Sequence, residues 1–289
     1  MASTGGSETL TLHETVLSPR LVVLTLGGDR MLTSWGTNCV ALAAASETLV
    51  VDPMIAPAHA RLVEEALRRR GFPAVRHVVL THHHTDHALG AAWFATRGAA
   101  VVAHVRCAAE MAVQHPAIIA ARRRVPELAA LFADAAPYAP AVRFEDRHTI
   151  DLGGVAVDVR HLGPGHTPGD AVVLFPSEEV VACGDLVFAG YHYNYEEANV
   201  AELSARLEEL AALPARRFVP GHGAPGGREI VVDQGRYHAE VARIVRSAAT
   251  PAVARAAIEA LFPDRALRDA IPTAITAFGG TPGERPTWA

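Results

Sequence analysis

The run Thr81-His82-His83-His84-Thr85-Asp86-His87 constrains this chain more than any other stretch. It follows Val78-Val79-Leu80, a β-branched apolar run that predicts a buried strand, and precedes an alanine-rich stretch through Trp93 and Phe94 that predicts a helix. Ionisable side chains are therefore expected on a strand-to-helix turn, where a rigid strand aims them. In extended backbone His82 and His84 share one side, and His83 faces the other as a buried, satisfied histidine. Asp86 and His87 follow at the helix start, where adjacent side chains fan apart and could serve a second centre. Imidazole and carboxylate groups clustered on one turn suit a metal ion far better than they suit packing.

Further along lie His166 in Gly165-His166-Thr167-Pro168-Gly169-Asp170, Asp185 in Gly184-Asp185-Leu186, and His222 in Pro220-Gly221-His222-Gly223. Upstream, Asp52 closes Leu49-Val50-Val51-Asp52-Pro53. Each motif falls where a strand is expected to end. With His82-x-His84-x-Asp86-His87 they resemble, in order, the signature of the metallo-β-lactamase-fold hydrolases, from about residue 49 to 223. The resemblance implies an α/β fold, a four-layer αββα sandwich of two mixed β-sheets flanked by helices. It implies one metal on His82, His84 and His166, a second on Asp86, His87 and His222, and Asp185 bridging the two. Such an oxygen and nitrogen set suits two Zn²⁺, with Fe or Mn also accommodated. A bridging hydroxide would then attack a small acyl substrate: an ester, thioester or lactone. Asp52 is read either as the acceptor for a ligand imidazole or as closing a turn with Pro53. Gly165, Gly169, Gly184, Gly221 and Gly223 are expected to allow sharp turns and positive φ beside the ligands.

Departures narrow the resemblance. Asp185 stands where true β-lactamases carry Cys or Ser, and His84 where flavodiiron oxygen reductases carry Glu. The glyoxalase II group shares the metal pattern, but its basic glutathione-binding residues are not recognisable here. Ribonuclease Z-like nucleases share it too, against this chain's acidic charge. An iron-dependent oxidase or dioxygenase on the same fold is the alternative to a hydrolase. Asp86 is both a ligand and a catalytic candidate. Tyr191, His192 and Tyr193, six to eight residues after Asp185, are further catalytic candidates as donors to an oxyanion. No Gly-x-Ser-x-Gly nucleophile elbow occurs.

Strands are expected at 9–16, 20–26, 38–43 and 48–51, the last two as a hairpin, after a polar leader at 1–8. A helix follows at 57–70, strand 76–80, a helix to about Thr96, and strand 101–103. Residues 105–136 read as a helical insert broken at Pro116 and Pro126, either a pocket-shaping cap with Met111 and Phe132 or a surface layer. Strands at 142–145, 148–151, 154–160, 171–175 and 179–183 precede a helix at 200–212 and a strand at 216–219. Helices at 227–247 and 251–271 form a C-terminal extension to about 275 of a single domain. A net charge of −5 gives no reason to expect nucleic acid. Three cysteines without close pairing imply no disulfide framework, and Cys183 reads as a buried small hydrophobe. Neither a signal peptide nor a membrane span is read, so the expected location is cytoplasmic. The expected partner is a small acyl substrate, with a homodimer left open.

Overall fold

The computed structural model of the chain describes residues 10–279. The leader expected at 1–8, and the first residue of the strand expected at 9–16, lie outside them. Strands β1 (His13–Ser18), β2 (Leu21–Thr25), β3 (Cys39–Ala43) and β4 (Thr48–Val51) form an antiparallel meander. The hairpin expected at 38–51 is present: Val40 faces Val51, and Ala44 N donates to Glu47 O at 2.8 Å. Helix α1 (Pro57–Arg69) leads to β5 (Val75–Val79), which runs parallel to β4. Parallel strands β6 (Ala100–His104) and β7 (Val142–Phe144) complete a seven-stranded sheet in chain order. The second sheet holds β8 (Arg147–Asp151), β9 (Ala156–Arg160), β10 (Val172–Phe175), β11 (Val180–Phe188) and β12 (Arg217–His222). It is antiparallel except where β11 and β12 pair in parallel, so both sheets are mixed.

The sequence of β2 shows why the layers stack. Leu21 and Val23 join Val40, Leu42, Val173 and Phe175 in a core between the sheets. Val22 and Leu24, on the opposite face, join Val63 and Phe94 beneath the helices. A strand buried on both faces has no polar alternation, and β2 has none. Helices α6 (Leu203–Ala212), α7 (Glu229–Ser247), α8 (Pro251–Leu261) and α9 (Ile271–Ala277) cover the second sheet. Their Leu207, Val241, Ile258 and Ile275 share a cluster with Val181 and Leu186. The C-terminal helices thus supply most of the fourth layer of an αββα sandwich.

Several elements depart from the sequence reading. The helix expected up to Thr96 is two short ones, α2 (Thr85–Ala88) and α3 (Ala91–Ala95). They part at Gly90, whose N–H donates to Met54 O at 2.8 Å and where a Cβ would be driven into the Pro53 carbonyl. Helix α4 (Val105–Arg122) is not broken at Pro116 but runs through it, ahead of the short α5 (Pro126–Ala129). Pro116 and Ala112 are both exposed, so the Ala112 carbonyl that loses its helical donor is left to water. The helix expected over 251–271 stops at Leu261, ahead of Phe262-Pro263, and resumes only as α9. Strand β11 runs on through Asp185 to Phe188, with its register against β12 shifting around Gly184.

Phe175 is fully buried between the sheets. Phe175→Ala should lower unfolding free energy by about 3–5 kcal/mol. Urea denaturation measures this, and a loss below about 1 kcal/mol would mean that the sheets do not pack there as described.

Candidate metal centre

The end of β4 governs the site. Asp52 adopts a left-handed backbone, φ 52°, which turns its carboxylate toward the end of β5. Its Oδ1 accepts from Thr81 N at 2.8 Å, and its Oδ2 accepts from Thr81 Oγ1 at 2.6 Å and His87 Nδ1 at 2.8 Å. With its own proton given to Asp52, Thr81 Oγ1 is left to accept from His82 Nδ1 at 3.0 Å. His222 Nδ1 donates to Trp35 O at 2.9 Å. These bonds leave Nε2 of His82, His87 and His222 free for other use, the tautomer a metal ligand requires. Asp52 therefore fills both roles read for it, imidazole acceptor and turn former.

Asp170 pins the loop between β9 and β10. Its carboxylate accepts from His166 N at 2.6 Å, from Thr167 N at 3.0 Å and from Thr167 Oγ1 at 2.6 Å. Against the second sheet stands the turn at Met31–Gly36, where Ser34 and Trp35 both take left-handed φ, 55° and 48°. Ser34 Oγ donates to Asp86 O at 2.9 Å, so this strained turn positions both Asp86 and His222. Sequence reading missed Asp170, although an aspartate closing a Gly-Pro-rich turn is a legible signal. The Trp35 contribution is a backbone carbonyl, and no residue type announces it.

The structure brings all seven expected positions together. His82, His84, His166 and Asp185 place one donor atom each within 4.8 Å of one another, and so do Asp86, His87, Asp185 and His222. Nitrogen faces nitrogen across the centre, with His166 Nε2 2.9 Å from His84 Nδ1 and His87 Nε2 3.4 Å from His222 Nε2. His82 Nε2 and Asp185 Oδ1 are buried without a hydrogen-bond partner. Converging lone pairs and orphaned buried donors fit divalent cations, so the donor set matches the metal that its chemistry implies.

The two groups differ electrostatically. Burial drives His82 well below the ordinary imidazole range and His166 down to about 3. Burial also opposes the His222 cation, yet Asp185 and Asp86 raise His222 to about 9. Asp185 is likewise buried, and His87 and His222 nevertheless hold its carboxyl well below the carboxylate range. Without metal, charge is thus stored as imidazolium–carboxylate contacts on the Asp86 side; on the other side burial keeps His82 and His166 neutral, while Glu197 raises His84 against its own burial.

A cavity of about 440 Å³ opens over this cluster, reaching His84, Asp86, Asp185 and His222. Its other wall comes from α4, through Gln114, Ala117, Ile118 and Arg122. Met111 and Phe132 do not face it; both are buried, Met111 under the first sheet and Phe132 in a small cluster with Ile119. The candidates Tyr191, His192 and Tyr193 do not line it either. His192 is buried against Tyr237, bonded through Nδ1 to its hydroxyl at 3.0 Å. Tyr193 packs edge-on to His166 with ring centroids 5.4 Å apart, and Tyr191 donates from its hydroxyl to Gly28 O at 3.2 Å. Burial draws His192 and Tyr193 into the core, while Tyr191 stays half-buried with its ring 5.8 Å from that of His222. Asn194, Glu196 and Glu197 form the cavity wall instead.

His83 is buried as expected but does not face away from the site, because the backbone bends after Leu80 and strand alternation no longer applies. It lines the cavity, with Nε2 2.9 Å from Glu197 Oε2; the same oxygen lies 3.4 Å from His84 Nε2. Of the five glycines expected to need positive φ, only Gly184 and Gly223 have it. At Gly221 the constraint is space, since a Cβ would be driven into Asp185 Oδ1.

Such a donor set at one edge of a four-layer αββα sandwich defines a class, the metallo-β-lactamase type of α/β fold. The sequence profile of the metallo-beta-lactamase superfamily matches residues 32–222, and the chain belongs to that family. It is 35% identical over 174 residues to the hydroxyacylglutathione hydrolase of Acidiphilium cryptum (strain JF-5), covering 60% of this chain and 58% of that protein. It is 30% identical over 173 residues to the hydroxyacylglutathione hydrolase of Methylococcus capsulatus, covering 60% and 55%. The matches thus span little more than half the length of these curated relatives. The solved metallo-beta-lactamase from Pontibacter korlensis shares the fold, with a TM-score of 0.67 at 20% identity over 79% of this chain and 99% of that one.

Gly221→Ala should displace the Asp185 carboxylate and lower metal stoichiometry while the fold persists. Elemental analysis with circular dichroism tests this, and full metal content would mean the carboxylate has room to move. Loading metal-free protein with Zn²⁺ at pH 7 should release about one proton or more per chain, because ligand imidazoles must deprotonate and His222 is raised to about 9. Release should fall off above that pH. An indicator-dye titration showing no release at pH 7 would contradict the charge distribution described.

Proposed function

We propose that this protein is a hydrolase of small acyl compounds, esters, thioesters or lactones, that works with two divalent metal ions, Zn²⁺ foremost. The observation that carries the reading is the pair of donor groups sharing Asp185 at the floor of a cavity sized for a small molecule. His82, His84 and His166 would hold one ion, Asp86, His87 and His222 the other, with Asp185 between them. Ions held there would lower the pKa of their water toward neutrality and polarise an acyl carbonyl.

The chain's own residues prepare the rest. Asp52, Thr81 and the Trp35 carbonyl fix which imidazole nitrogens face the centre. Glu197, held at Oε1 by Gln114 Nε2 at 3.0 Å, orients His84 from its far side. Ala117, Ile118 and Phe188 give the cavity apolar surface for an acyl chain, and α4 acts as its cap. The two relatives named as hydroxyacylglutathione hydrolases support acyl transfer to water on a thiol-bound substrate. Three buried free thiols accord with a reducing compartment, and we place the protein in the cytoplasm. Among the described residues no helix is long and apolar enough to cross a membrane.

Metal-loaded protein should hydrolyse members of a thioester and lactone panel, and Asp185→Asn, which removes the shared carboxylate charge, should lower occupancy of at least one metal position and turnover with it. Unchanged stoichiometry and rate in that variant would remove Asp185 from the centre. Iron in the purified protein, with oxygen consumed and no acyl substrate hydrolysed, would replace this reading by the oxidase one.

A further inference from the structure

One charged residue of the cavity wall is not accounted for by the metal centre. Arg122, at the end of α4, is 8% exposed, yet it forms no ion pair with any described residue. A guanidinium carries five N–H donors and keeps its charge. Among the described residues its side chain makes only one hydrogen bond, from NH1 to Thr85 Oγ1 at 2.7 Å. Thr85 immediately precedes Asp86, so this bond fixes the guanidinium beside the second donor group. Trp35 and Phe132 flank it, with ring centroids 5.9 and 5.1 Å from Cζ. The aromatic faces steady the plane of the fork but satisfy none of its remaining donors.

Burying an arginine without a carboxylate partner is unfavourable unless another group completes it. The acids nearby are already engaged. Glu197 is bonded by Gln114 and contacted by His83 and His84; Asp86 is contacted by His87 and His222, and its charge reaches Arg122 only at longer range, without an ion pair or hydrogen bond between them. Arg122 therefore faces the cavity with unused donors, next to a wall that is otherwise apolar at Ala117 and Ile118.

We propose that Arg122 is the anchor for a carboxylate on the substrate, so that the substrate class is a small acyl compound bearing a free acid group. This rests on the acyl-hydrolase reading above and narrows it. The carboxylate takes the unused edge of the guanidinium, the chain between lies along Ile118, and the acyl carbon is thereby delivered over Asp185. Paired charge-assisted hydrogen bonds of this kind discriminate an acid from its neutral amide by about ten- to a hundredfold.

The test uses metal-loaded protein and two pairs of thioesters. Within a pair the compounds differ only in a terminal carboxylate or carboxamide, carried on the acyl chain in one pair and on the thiol in the other. Wild type should prefer the acid in at least one pair by about tenfold or more in kcat/KM, expressed mainly in KM. Arg122→Gln should abolish that preference, and Arg122→Lys should keep part of it, since lysine retains the charge but not the fork. No preference in either pair, or a preference that Arg122→Gln retains, overturns the proposal. A loss that strikes acid and amide equally also overturns it, because that is what a structural role predicts.

A second readout is independent of turnover: calorimetric binding of the thioether analogue of the preferred acid, or of both acids' analogues if none is cleaved. At least tenfold weaker binding to Arg122→Gln supports the anchor, and equal binding overturns it. Should glutamine at this position prevent folding, Arg122→Met, which also removes the charge and keeps an unbranched stem, carries the same comparison. If no thioester, and no ester or lactone carrying the same acid, is hydrolysed while the tenfold difference in binding stands, the acyl-hydrolase reading falls and the anion site remains.

Discussion

The carboxylate of Asp52 is the constraint on which the site depends. It joins the end of one strand to the end of the next through Thr81, and joins both to α2 through His87. A single acceptor thus fixes where three segments meet, and which nitrogen of two histidines points inward. The left-handed backbone of Asp52 is the local strain that makes this reach available. On the opposite side the Ser34–Trp35 turn does equivalent work for Asp86 and His222. Both devices hold the donor groups from behind, so the cavity side of the cluster stays open to a small molecule.

How much of this the sequence discloses depends on the kind of information involved. Residues that act by their chemistry sit in short motifs, and His82, His84, His166, Asp185 and His222 can be picked out by type and spacing alone. The layers were legible as well, because β2 is apolar from Leu21 to Leu24 and β3 at every position, as a doubly covered strand needs. Contributions made by backbone were invisible, as with the Trp35 carbonyl. Contributions set by competition for burial were misread: the tyrosines after Asp185 look like a site loop, yet their ring area takes Tyr193 and Tyr195 into the core. Pro116 is a related case: on the exposed face of α4 the carbonyl that loses its donor can turn to water, so the helix continues where the residue type predicts a break.

Helix α4 has two characters along its length. Its first half, with Cys107 and Met111, packs beneath the first sheet, and its second half, with Gln114, Ile118 and Arg122, walls the cavity. The spacing of Met111, His115, Ile119 and Arg122 runs along one buried face. An arginine in register with an apolar stripe is therefore a signal that sequence reading had available and did not use. It separates Arg122 from its neighbours Arg123 and Arg124, both exposed.

The bond from His222 Nδ1 to the Trp35 carbonyl spans 187 residues of chain. Asn38 Nδ2 crosses a similar interval to Pro220 O, and Thr37 bridges to His222. The donor cluster thus straddles the seam between the two sheets, and neither sheet alone possesses it. Contacts so remote in sequence close long loops, and the folded contacts must offset that closure entropy. A chain with one half folded has no centre at all, so a metal ion would select only finished molecules. An ion present at a hundred times its dissociation constant would add about 2.7 kcal/mol to the unfolding free energy. In that sense the centre is also the keystone that would lock the two halves in place.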